Sequence, residues 1–154
     1  MMRRLLVATL ISASCSAAAG PRLSALIIDG MNNHDWAAGT RAIQTILEGS
    51  GRFTVTISTW PAKPDFRPYD VVIDNFNGGH TDAGTRWPRE VEQALETYVR
   101  GGGGLVVFHA ANNAFLNWPE FNNMIGLGWR DKTSAKALPS ALAARWSMCR
   151  KAKA

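Results

Sequence analysis

The chain of 154 residues has only two cysteines, Cys15 and Cys149, one near each end. They leave no disulfide within the body of a processed chain and no thiolate set for zinc. Long apolar runs are missing too: the longest near the start, LLVATLI (residues 5–11), is too short to span a bilayer. There is no Gly-Lys-Ser/Thr phosphate loop, and the glycines 101–104 precede an apolar run instead of following one, which is the wrong order for cradling phosphate. No G-x-S-x-G elbow occurs, so a serine nucleophile of that kind is excluded. No internal repeat is found.

A surplus of positive charge is present, but in the wrong place for nucleic acid. Of 17 basic residues, Arg3 and Arg4 lie at the start, and six (Lys132, Lys136, Arg145, Arg150, Lys151, Lys153) follow Asp131. Residues 20–130 therefore carry nine basic against eleven acidic side chains. The body of the protein offers no basic face for phosphates, so no nucleic-acid partner is expected.

Three segments follow from composition. Residues 1–19 run from a basic MMRR through LLVATLI to Ala17–Ala19, the order of a secretory signal peptide cleaved near Ala19. Export to the periplasm or the exterior is the expected localisation, with no stable membrane insertion once the leader is removed. Residues 20–130 form one α/β domain, at 46% hydrophobic residues overall long enough to bury a core. Residues 131–154 are an alanine-rich basic tail without a strand pattern, although Ala141 to Lys151 has the makings of a short helix.

Within the domain, strands and helices alternate. Leu23 to Ile28 reads as a central strand, Ala38 to Glu48 as a helix, Phe53 to Ser58 as a half-buried or edge strand, and the proline-rich TWPAKPDFRP as a loop. Tyr69 to Asp74 is a further strand. Pro88 opens a helix over Arg89 to Arg100 that Gly101 ends, with Val91, Ala94, Leu95, Tyr98 and Val99 as its buried stripe. Gly104 to Phe108 should be a buried strand, and Pro119 starts another helix reaching Ile125. Alternation at this spacing predicts right-handed βαβ crossovers and a parallel sheet covered on both faces.

Ligands of such sheets bind beyond the carboxyl ends of the strands. The only three histidines, His34, His80 and His109, all fall where the chain leaves such an end. His34 and His109 are the candidate catalytic groups, since imidazole serves as general base or metal ligand near neutral pH. Asn33, Asp35, Trp36, Asn75, His80, Asn112 and Trp118 are the candidate substrate contacts. Amides and carboxylates hydrogen-bond sugar hydroxyls, and indole faces cover the C–H faces of a sugar ring. The same residue types are also the ordinary furniture of turns and core edges. No cofactor is expected. A divalent metal held by the histidines is chemically sound, although spacings of 46 and 29 residues match no local ligand signature.

LIIDGMNNHDW (residues 26–36), YDVVIDN (69–75) and GGGGLVVFHAA (101–111), followed by Trp118 and a Gly126–Trp129 stretch, resemble the ThuA-like (trehalose utilisation) family. This is a branch of the class I glutamine-amidotransferase-like superfamily. The resemblance implies a flavodoxin-like three-layer α/β sandwich with a parallel sheet, and a role in carbohydrate utilisation with a small sugar as ligand. In amidotransferases of that superfamily the corresponding strand leads to a nucleophilic cysteine; here His109-Ala110-Ala111 stands instead, so glutamine hydrolysis is not expected. After Arg130 the sequence departs from the family pattern, which reads as a sheet incomplete at its carboxyl end. A non-catalytic sugar-binding or interaction module, or an inactive truncated fragment, are the alternatives. The spacing leaves oligomeric state open.

Overall fold

The computed structural model describes residues 20–78, 85–126 and 128. The proposed leader, His80 and the basic tail lie outside them. Among the described residues, four parallel strands, β1 (Leu23–Asp29), β2 (Phe53–Thr59), β3 (Val71–Asp74) and β4 (Gly104–Val107), form one sheet in the order β2-β1-β3-β4. The helices are α1 (Trp36–Gly49), α2 (Arg89–Arg100) and α3 (Pro119–Ile125). No described helix is long and apolar enough to cross a membrane.

Strand alternation sorts the core into two halves. Ala25, Ile27 and Ile73 point to one face, where Ile43 and Leu47 of α1 and Val55 of β2 meet them. Leu26, Ile28 and Val72 point to the other, against Val91 and Leu95 of α2 and Phe121 of α3. That second half is largely aromatic. The ring centroids of Trp87 and Phe115 are 5.0 Å apart, and Phe115 and Phe121 meet edge to face at 5.1 Å.

The β2–β3 crossover contains no helix. The proline-rich loop instead drops Phe66, 1% exposed, into the aromatic half. The order of the sheet requires this crossover to pass over the face opposite α1, so Phe66 fills space that a helix would otherwise occupy.

Two expectations change. Ala94 of α2 is exposed, while Glu92 and Glu96 on the same helix are buried. Glu96 accepts the Trp118 indole N–H at 2.9 Å, and the Arg86 guanidinium meets Glu92: its Nε donates at 2.6 Å, and Nη2 pairs with the other carboxylate oxygen at 2.5 Å. A fork-to-fork ion pair offsets the desolvation of the buried acid. The second change concerns β4, which is an edge strand among the described residues. Its Val106 is 49% exposed, and Phe108 just beyond it 41%.

Candidate functional site at the carboxyl edge of the sheet

The strand order reverses direction between β1 and β3: β1 leads by α1 outward to β2, and β3 leads by α2 outward to β4. Loops leaving β1 and β3 therefore diverge and open a crevice at the carboxyl ends, the usual ligand position in doubly wound sheets. The chain leaves β1 through Gly30, whose φ is 110°. A Cβ there would stand 2.8 Å from the backbone nitrogen of Trp60, so glycine is required on both counts.

His34 and His109 meet at this edge. Their ring centroids are 4.7 Å apart with planes 24° from parallel, and both residues are exposed. Seventy-five positions of sequence separate them, and the parallel winding brings them into contact. His109 has φ 48°, a left-handed conformation costing a β-carbon-bearing residue about 1–2 kcal/mol. It opens a short 3-10 turn (His109–Asn113) directly after the strand. Strand, strained residue and helical turn make an elbow that lifts the imidazole above the sheet. The turn is the form in which the chain leaves the end of β4.

A hydrogen-bonded chain fixes the His34 loop from below. Asp29, 2% exposed, accepts from the Thr40 hydroxyl at 2.7 Å. The Asn75 amide donates to Thr40 Oγ1 at 3.1 Å and to the Trp36 carbonyl at 3.0 Å. Asn32 donates its amide to the Asn75 carbonyl at 3.2 Å, and its side-chain oxygen accepts the His34 N–H at 3.0 Å. Asn77 donates to the Asn33 side-chain oxygen at 2.5 Å, tying the loops after β1 and β3 together.

The candidate contacts thus separate by environment. Asn33 and Asp35 lie on the exposed loop, and the Asp35 carboxylate caps α1 by accepting from Ala38 N–H at 2.9 Å. Trp36 is half-buried as the first residue of α1, which starts two residues ahead of the expected Ala38. Asn112 is half-buried in the 3-10 turn. Asn75 is 2% exposed and belongs to the supporting network. Trp118 must be corrected: it is fully buried in the aromatic half and donates its indole N–H to Glu96 at 2.9 Å, so neither ring face is open to a ligand. His80 lies outside the described residues.

Sequence reasoning missed Thr40 and Asn32 as the links of this network. The acids that close two strands, Asp29 and Asp74, were the available signal. Asp74 is 1% exposed; its Oδ1 accepts the Phe76 N–H at 2.9 Å, while burial pushes its pKa up to about 8 against that hydrogen bond. Among the described residues no group of three or more His, Cys, Asp or Glu side chains is placed to hold a metal ion.

A doubly wound parallel sheet with a strained residue at a strand tip defines an α/β domain of flavodoxin-like type. The family model described as "ThuA: Trehalose utilisation" matches residues 24–149, and the chain belongs to that family. The match crosses the composition boundary at residue 131. A ThuA-like protein from Parabacteroides merdae ATCC 43184 is 38% identical with a TM-score of 0.64, over 71% of this chain and 40% of that one. A ThuA-like protein from Bacteroides uniformis ATCC 8492 is 23% identical with a TM-score of 0.50, over 72% of this chain and 46% of the other, and shows the fold alone. The chain thus spans less than half the length of either. Comparison with curated proteins gives no match.

Proposed function

We propose that this protein is exported through residues 1–19 and handles a small sugar of the trehalose type at the carboxyl edge of its sheet, with His34 and His109 touching the ligand. One observation carries the reading: two exposed imidazoles stacked at 4.7 Å, one of them on a strained strand-tip elbow. Backbone strain held at an exposed polar group is characteristic of sites where side-chain position matters. An imidazole there can give or take a proton at a hydroxyl or a glycosidic oxygen. Asn33, Asp35 and Asn112 flank the pair with amide and carboxylate groups suited to hydroxyls. The family's link to trehalose utilisation supports a sugar over other hydroxylated ligands.

With three histidines in the chain, imidazole NMR resonances are readily assigned. Titrating trehalose, glucose and related disaccharides should shift the His34 and His109 signals together, and His109→Ala should abolish the response without loss of fold. Shifts without product in a turnover assay would make the protein a binding module. A panel that moves neither resonance would overturn the sugar assignment.

A further inference from the structure

With Trp118 in the core, the apolar C–H face of a sugar needs another partner, and the end of β4 supplies one. Phe108 stays exposed, whereas every other phenylalanine, tyrosine and tryptophan among the described residues is buried or half-buried. Its N–H donates to the Asp74 carbonyl at 2.8 Å, so the β3–β4 ladder continues through it and fixes the side it takes. Leu105 and Val107 pack into the aromatic half, so Val106 and Phe108 point to the face that carries α1. There the ring stands beside the first turn of that helix, where Gly39 has no side chain to cover it. A Cβ on Gly39 would lie 3.8 Å from the ring and 3.3 Å from the Asn75 amide.

His109 is the next residue. Its imidazole centroid lies 6.3 Å from the Phe108 ring, with the planes 76° apart, so neither ring lies flat on the other. Phe108 thus borders the stacked His34–His109 pair with open apolar surface. Hydrogen bonds alone do not tell a sugar ring from an open-chain polyol, because amides, carboxylates and imidazoles meet hydroxyls on either. A pyranose differs in presenting C–H groups on one rigid face, which an aromatic ring covers without burying an unpaired hydroxyl. We infer, on the sugar reading above, that Phe108 is the platform for the C–H face of a pyranose and selects cyclic sugars over open-chain polyols. Apolar contact at about 4 Å leaves the hydroxyls at the rim of that sugar beside the imidazoles.

Trehalose and sorbitol are the probes, titrated into wild type, Phe108→Leu and Phe108→Tyr and followed through the His34 and His109 resonances. Wild type should bind trehalose about fivefold or more tighter than sorbitol. Phe108→Leu, which keeps apolar bulk without an aromatic face, should lose that preference by weakening trehalose alone, and Phe108→Tyr should retain it. Nuclear Overhauser effects between the Phe108 ring protons and trehalose C–H protons are expected in wild type, a readout that does not depend on any variant folding. Equal trehalose affinity in wild type and Phe108→Leu would overturn the role of Phe108 and leave the sugar reading standing. So would equal affinity of wild type for the two probes, or a trehalose complex without those Overhauser effects. Imidazole resonances that respond to no sugar would overturn both.

Discussion

Replacing Asp74 with asparagine should make the protein more stable, and increasingly so as pH rises. The side chain is 1% exposed, one oxygen holds the Phe76 N–H, and the other has no hydrogen-bond partner among the described residues. In the folded protein burial keeps this acid protonated until about pH 8, whereas in the unfolded chain it ionises near its ordinary 3.8. Between those values unfolding releases a proton, so stability falls as pH rises. The contribution is fully present below about pH 3.8 and is lost as pH climbs through about 8. Each pH unit in that window costs about 1.4 kcal/mol, or on the order of 5 kcal/mol across it. Asparagine keeps an oxygen for Phe76 and cannot ionise. Urea titrations followed by circular dichroism at pH 5, 6, 7 and 8 should therefore show the Asp74→Asn advantage growing by about 3 kcal/mol between pH 5 and pH 7. Taking the difference between variant and wild type cancels every other titrating group. Parallel stability curves for the two proteins would refute the reasoning.

Trp118→Ala should cost about 3–5 kcal/mol in the same denaturation assay, because it empties the aromatic half of the core and strips Glu96 of its indole donor. Trp118→Phe should cost less, about 1–3 kcal/mol, chiefly through the lost hydrogen bond. Asn75→Ala should cost about 1–3 kcal/mol by removing the side-chain amide that donates to the Trp36 carbonyl and to Thr40 Oγ1. It should also loosen the loop beneath His34, read as a change in the mutual ring-current shifts of the His34 and His109 resonances; unchanged shifts would separate the network from the site.

The order of elements was legible because the chain's local signals agree with the fold. Pro88 and Gly101 bracket α2 as expected, and α3 starts at Pro119. The meeting of His34 and His109 at one edge was legible as well, since parallel winding puts every strand's carboxyl end on the same side. Side-chain environments were not. Glu92 and Glu96 are buried through partners elsewhere in the chain, Arg86 and Trp118, and a helical stripe cannot register those. Trp118 looked like a ligand-facing indole because a loop tryptophan and a core tryptophan have the same local sequence. β4 looked central because its apolar run is continuous; its outer neighbour is a matter of tertiary order that a run of hydrophobic residues does not encode.

The unequal chemistry of the two sides of the sheet gives the protein a built-in optical asymmetry. Phe66, Phe76, Trp87, Phe115, Trp118 and Phe121 crowd behind one side, whereas isoleucine, leucine, valine and alanine dominate behind the other. Among the described residues, near-ultraviolet ellipticity will thus report chiefly on the side that α2 and α3 cover. Detachment of α1 would register in that signal through Trp36, its half-buried first residue, while probes of backbone amides would follow the rest of the helix.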